Sequence, residues 1–247
     1  METAVAMGTA VSRMCTATAR GKRKRNGEDR SDKQNTRPFL VAEICAGISG
    51  GMVGAVRAGE KWPHQDVEPL YAADTCDKNG QVSKAVFGCQ ILTGDATSDV
   101  IRRRINKLPT PKLIIFTPSC QGNSLLNLYA SDKANRSPTS GDKRLWLGPR
   151  LFETVLLKRP RYVIVEQLAN WRGTEPFKLI VKRAHSCGYH SQFWVLHPHY
   201  YGLPSRRKRL FGILERGGVG IAATYMKAIN RMREQKPRLI LQDWYPD

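Results

Sequence analysis

Cys120 stands where a nucleophile would be useful. Leu113-Ile-Ile-Phe116 reads as a short buried strand, Thr117, Pro118 and Ser119 end it, and the cysteine follows. In open α/β sheets the carboxyl end of a parallel strand is where ligands bind. A partly exposed thiol there, near backbone N–H groups and cations, is favoured as the thiolate. The other common fate of such a residue is a small, inert place in the core. A second group lies upstream. Cys45-Ala-Gly-Ile-Ser-Gly-Gly51 is a glycine-rich turn after a strand, and glycine lets a backbone approach a ligand closely. Asp74 ends the next strand, where it could hold a ribose hydroxyl. Together they point to a nucleoside-bearing cofactor, although Gly47-x-x-Gly50-Gly51 is not the dinucleotide fingerprint. Asp74 and Asp95 could equally be turn or capping acids.

These residues need a scaffold, and the chain alternates strands with helices. Strands are expected at Phe39–Ile44, Leu70–Asp74, Leu113–Phe116, Tyr162–Val165, Phe193–Leu196 and Leu210–Leu214. Helices are expected at Met52–Gly59 and Gln81–Phe87, from a Ser98/Asp99 cap through Leu108, and at Phe177–Ala184. Pro149 suits the first turn of a further helix, with Leu151, Phe152, Val155 and Leu156 on one apolar stripe. Residues 128–144 are polar and read as a long mobile loop. The pattern implies an α/β fold with a doubly wound, mostly parallel sheet.

The 247 residues carry 40 Lys+Arg against 21 Asp+Glu, a net +19. Nine of these bases and four of the acids fall in residues 1–38, which leaves 31 against 17, or +14, for the rest. A polyanionic partner, most simply nucleic acid, follows from that excess. Residues 1–38 hold few large apolar side chains and read as a disordered basic tail. Its Lys22-Arg-Lys-Arg25 cluster is a nuclear address, a phosphate-binding arm or simply a solvated stretch. The six cysteines (Cys15, Cys45, Cys76, Cys89, Cys120, Cys187) include no C-x-x-C pair. No metal site or disulfide framework is implied, and reduced thiols fit an intracellular location. No apolar run reaches the about 18 residues of a membrane span.

Five motifs, in order, resemble those of the DNA (cytosine-5) methyltransferases. Glu43-Ile-Cys-Ala-Gly-Ile-Ser-Gly-Gly51 resembles that family's first motif. Asp74 and Gly94-Asp95 fall where it places ribose and adenine contacts. Thr117-Pro-Ser-Cys-Gln-Gly-Asn-Ser124 resembles its nucleophile motif. Val165-Glu-Gln-Leu168 resembles its E-N-V motif, and Tyr201-Gly-Leu-Pro-Ser-Arg-Arg-Lys-Arg209 its arginine motif. The resemblance implies a Rossmann-like catalytic domain over residues 39–247 that uses S-adenosylmethionine to methylate carbon 5 of cytosine in DNA. RNA, as in the tRNA-modifying branch, is the alternative substrate. A catalytically weak nucleic-acid-binding or regulatory relative is another reading.

By the same resemblance Cys120 adds to carbon 6 of the base. Glu166, at a strand end in a partly dry pocket, holds a proton at nitrogen 3 with a raised pKa. The target base flips out of its stack to reach the site. Arg207 and Arg209 alternate along an extended segment, hence on one face, and hold the base and the catalytic loop. Ile44, Gly47, Ile48, Ser49, Gly50, Asp74, Asp95, Ala96, Pro118 and Leu147 fall in the cofactor pocket. For Glu166 the plainer role is a structural carboxylate paired with an arginine; for the two arginines it is an exposed, solvated strand end.

Departures from the family pattern gather around the cofactor. Cys45 and Thr75 stand where aromatics usually pack on adenine, a contact worth about 1–3 kcal/mol by analogy with base stacking. Ser49 replaces a glycine, Ser119 a proline, Asn123 a phenylalanine, Gln167 an asparagine and Ser205 a glutamine. A target-recognition domain, which family members carry, has no evident counterpart. The catalytic domain is therefore truncated relative to the family: a short enzyme, half of a split one, or a degenerate copy. A second subunit carrying the recognition domain is the expected partner.

Overall fold

The computed structural model describes residues 37–61, 66–120, 143–198 and 207–218. The tail with its Lys22–Arg25 cluster, the loop as far as residue 142, and residues 201–206 lie outside the described residues. The strands are β1 (Phe39–Ile44), β2 (Val67–Asp74), β3 (Gln90–Thr93), β4 (Leu113–Phe116), β5 (Tyr162–Leu168), β6 (Tyr189–Leu196) and β7 (Arg209–Arg216). The helices are α1 (Gly50–Lys61), α2 (Asp77–Phe87), α3 (Asp99–Lys107), α4 (Leu147–Lys158) and α5 (Glu175–Ser186). Short 3-10 turns occupy Lys143–Trp146 and Ala169–Trp171.

The seven strands form one sheet in the order β3-β2-β1-β4-β5-β7-β6. All pairings are parallel except those of β7, which runs antiparallel to both β5 and β6. This is the doubly wound, mostly parallel sheet expected from the alternation of elements. β4 and the inner part of β1 are buried on both faces, β5 on one. Ala42 and Ile44 of β1, Ile114 and Phe116 of β4, and Val163 and Val165 of β5 pack with Ile101 and Ile105 of α3, Phe152 and Val155 of α4, and Ile180 of α5. Val41, Leu113 and Ile115 point the other way, toward Met52 of α1. Burial on both faces is why β4 reads as an unbroken apolar run rather than an alternating one.

Several elements are longer than the sequence suggests, and at α1 the reason is a cap. α1 begins at Gly50, not Met52, because the Glu43 carboxylate accepts hydrogen bonds from the backbone N–H groups of Gly51 and Met52. A Cβ on Gly51 would lie 2.7 Å from the Ile115 side chain, so only glycine lets this end settle on β4. β2 extends back to Val67 through Pro69, which has no N–H for the ladder; the register against β1 slips between Val41 and Ala42. β3 was not anticipated. It has four residues, at a sheet edge, with only Leu92 fully buried. α3 matches its expected bounds to within a residue, since Ser98 accepts the Ile101 N–H at its start.

On the α1 face an apolar groove of about 1120 Å³ stays open. Phe39, Val41, Leu113, Ile115, Ile164 and Phe211 form its floor, and the small residues Gly54, Ala55 and Ala58 of α1 form a wall. α1 reaches β4 here through Met52, while Tyr162 and Ile164 of β5 stay only partly buried.

Candidate active site

The sheet order reverses between β1 and β4, so the crevice between their carboxyl ends is the natural ligand site. Thr117 straps the two ends together. Its backbone N–H donates to the Ile44 carbonyl at 3.2 Å, and its hydroxyl donates to the Cys45 carbonyl at 2.8 Å. The cofactor-side turn and the Cys120 segment therefore share one anchor.

The turn after β1 is left-handed at three places: Cys45 (φ 61), Gly47 (φ 52) and Ser49 (φ 59). Serine in this region is disfavoured by about 1–2 kcal/mol. Ser49 is held there by a 2.6 Å hydroxyl contact with Ser83 of α2, itself bonded to the Asn79 carbonyl. Ser49 is fully buried with its hydroxyl on α2, so it shapes the turn from within. Ile44 is likewise fully buried. Ile48, by contrast, is 67% exposed at the tip of the turn.

Asp74 closes the turn against β2. Its carboxylate accepts from the N–H of Gly47 (2.8 Å), the N–H of Cys76 (2.9 Å) and the Asn79 side chain (3.3 Å). One lone pair remains on the oxygen facing Gly47, enough for one hydroxyl. Asp95, exposed after β3, is bonded at both oxygens by Thr97, and its neighbour Ala96 is buried. The Cys45 thiol lies between the two acids. Burial, then the charges of Asp74 and Asp95, push its pKa up to about 12, so it stays a neutral thiol and is no nucleophile. A Cβ on Gly47 or Gly50 would meet no atom within 4 Å. The backbone of the turn is therefore open at these two glycines, with the Asp74 carboxylate bonded to the Gly47 N–H.

Cys120 is half-buried, four residues past the end of β4. Phe116 of β4 pairs with Val165 of β5, and Glu166 comes next. The Glu166 carboxylate is 2.8 Å from Arg209 Nε. Burial raises its pKa, opposed by the charge of Arg207. Glu166 is thus paired with an arginine while burial favours its protonated form. Arg209 belongs to β7, while Arg207 precedes it and is exposed. Leu147 is the half-buried first residue of α4.

Three contributors escaped the sequence reading. Gln167, 2% exposed, donates through Nε2 to the Pro118 carbonyl at 2.9 Å and accepts from the Leu168 N–H at 2.8 Å. It carries the tie between β5 and β4 beyond their backbone pairing. Glu43 is 1% exposed at the head of the groove, and burial raises its pKa to about 7. Thr154, also fully buried, bonds the Ala96 carbonyl. Their only signal was a polar residue within an apolar run. The groove reaches Glu43, Thr117 and Glu166, but neither Asp74 nor Cys120 lines it.

The family model "C-5 cytosine-specific DNA methylase" matches residues 39–241. Two curated relatives, the tRNA (cytosine(38)-C(5))-methyltransferases of Rattus norvegicus and Mus musculus, are each 26% identical over 174 residues, or 70% of this chain. The match covers 41% and 39% of those proteins, so the chain spans about two fifths of their length. Among solved structures, the Entamoeba histolytica methyltransferase EhMeth aligns with a TM-score of 0.57 at 16% identity, covering 75% of this chain and 55% of that one. The S. pombe Dnmt2 methyltransferase aligns at 0.52 and 18%, covering 74% and 51%. A putative DNA modification methyltransferase from an E. coli prophage aligns at 0.53 and 20%, covering 72% and 47%. These likenesses show the fold.

Proposed function

The chain belongs to the C-5 cytosine-specific DNA methylase family, and from that premise we propose that it methylates carbon 5 of cytosine in nucleic acid. The observation that carries this reading is the pairing of β4 with β5, which sends Cys120 and Glu166 out of adjacent strands beside the acid-lined turn. S-adenosylmethionine, the family's methyl donor, supplies the electrophilic methyl group when bound.

The chain's own residues supply the rest. Carbon 5 of cytosine is a weak nucleophile. The Cys120 thiolate forms a bond to carbon 6, and the electron pair of the 5,6 double bond passes to carbon 5. Burial shifts Glu166 toward its protonated form despite the arginines beside it, and in that form it donates toward nitrogen 3 and takes up the negative charge that develops in the ring. Arg209 fixes the carboxyl group through its ion pair. After carbon 5 has gained the methyl group, it loses its proton to water, and nitrogen 3 returns its proton to Glu166. The sulfur–carbon bond then breaks, the ring double bond re-forms and Cys120 leaves as thiolate. Asp74 and the Gly47 turn hold the donor, and Gln167 holds the segment that carries Cys120.

The family description favours DNA as substrate. RNA is a second reading, supported by the substrate in the names of both curated relatives. Incubation with DNA and with tRNA, each containing 5-fluorocytosine, tests both in the presence of S-adenosylmethionine. Fluorine at carbon 5 cannot leave as a proton does, so the adduct persists. A covalent complex with one polymer, absent in Cys120→Ala, is expected. No complex with either polymer overturns the reading.

A further inference from the structure

We propose that Thr154 is a positioning residue for the adenine end of the cofactor site, acting through the backbone of Ala96. The inference rests on the reading that residues 94–98 border the cofactor. Thr154 lies inside α4, is fully buried, and touches neither the Gly47 turn nor Asp74 through any hydrogen bond described. Its hydroxyl donates to the Ala96 carbonyl at 2.6 Å, across 58 residues of sequence.

Arg102 of α3 decides where that hydroxyl points. A threonine within a helix commonly donates back to the carbonyl four residues earlier. For Thr154 that carbonyl is Arg150, and the Arg102 Nη2 group already donates to it at 3.0 Å. Arg102 Nε donates at 3.1 Å to Thr154 Oγ1 itself. Arginine can only donate and a carbonyl can only accept. The Thr154 proton is thus directed away from its own helix and onto Ala96. Glu153 anchors Arg102 in turn, with its other oxygen on Arg183 of α5.

The consequence falls on the loop after β3. Gly94 N–H donates to the Asp74 carbonyl, and Asp95 folds over Thr97 and Ser98. Those contacts shape the loop internally and tie its start to β2. The Thr154 bond alone, among the described hydrogen bonds, ties its middle to α4. Without the hydroxyl, Ala96 keeps a buried carbonyl without a partner, and Asp95 loses its fixed height over the Cys45 turn.

The test is calorimetric binding of S-adenosylhomocysteine and of adenosine to the full chain. Thr154→Val, of nearly the same shape, is expected to weaken both by about tenfold, the effect of one lost hydrogen bond to a buried group. Thr154→Ser keeps the hydroxyl and should stay within about twofold of the wild type. If Thr154→Val does not fold, Arg102→Met keeps the Thr154 hydroxyl but removes the group that aims it, together with the Glu153 ion pair, and should weaken both ligands by about threefold. Equal affinities in the variants and the wild type overturn the proposal. So does an equal loss in Thr154→Ser and Thr154→Val, which would mean that packing rather than the hydroxyl matters. A wild type that binds neither ligand instead defeats the underlying cofactor reading.

Discussion

Gln167 reaches from the end of β5 to the Pro118 carbonyl, two residues before Cys120. Backbone pairing between β4 and β5 stops at Phe116 and Val165, so this side chain continues the ladder into the catalytic segment. Gln167→Leu keeps the bulk but leaves the Pro118 carbonyl and the Leu168 N–H unpaired. Stability should fall by about 2–4 kcal/mol for two such groups. Displacing the nucleophile should slow the 5-fluorocytosine adduct by about 10²-fold with little change in affinity for nucleic acid. A time course on denaturing gels, set beside urea unfolding, checks both. Unchanged adduct rates would remove Gln167 from the machinery.

Arg209→Leu takes the partner from Glu166. The Glu166 pKa is already raised by burial, so the folded state holds its proton to higher pH than the unfolded chain does. The stability this group contributes is therefore full at low pH and is lost as pH rises through the folded pKa. Without Arg209 the carboxylate form is less favoured still. The variant should lose about 1–3 kcal/mol at pH 8 and much less at pH 5. Glu166 itself should titrate at higher pH by carbon-13 NMR. Equal losses at both pH values would contradict an ionised partner.

Glu43 offers a cleaner titration. Burial raises its pKa from 4.5 to about 7. Below 4.5 both states hold the proton, and between 4.5 and about 7 only the folded state does. Stability from this group thus declines as pH rises through that window, by at most about 3 kcal/mol. Glu43→Gln cannot ionise. The difference in unfolding free energy, variant minus wild type, should move in the variant's favour from pH 4.5 to pH 8. Denaturant unfolding at both pH values measures it, and a constant difference rejects the assignment.

The +14 of residues 39–247 predicts steep salt dependence in nucleic-acid binding. A contact with about six phosphates loses about 10³ in affinity between 50 and 200 mM salt. Fluorescence anisotropy across that range reads the slope. Deleting residues 1–38 should lower the affinity only in part. A flat response would assign the charge to some other purpose.

The fold was readable because β4 is buried on both faces and β5 is apolar on both even where it is only partly buried. Leu113–Phe116 and Tyr162–Val165 are apolar throughout, and their ends deliver Cys120 and Glu166 directly. β3 was not readable: four residues at an edge, with one side chain fully buried, leave little pattern. The starts of α1 and β2 were also hidden. One depends on Glu43 capping a helix eight residues later, the other on β1 accommodating a proline. Gln167 looked like a simple departure from asparagine. Its bond to Pro118 links residues 49 apart, which no local spacing can reveal. The Thr154–Ala96 bond escaped for the same reason.

The place of β7 sets an order of assembly. β6 is made before β7, yet among the described residues its sheet partner is β7, which pairs with β5 on its other edge. β6 therefore joins the sheet through residues 209–216, which come later in the chain. The same strand brings Arg209 to Glu166. A nascent chain has its nucleophile and its cofactor turn early, but it acquires the partner of its proton holder only at the step that closes the sheet. The pairing of β7 with β5 and the arrival of Arg209 at Glu166 are one event.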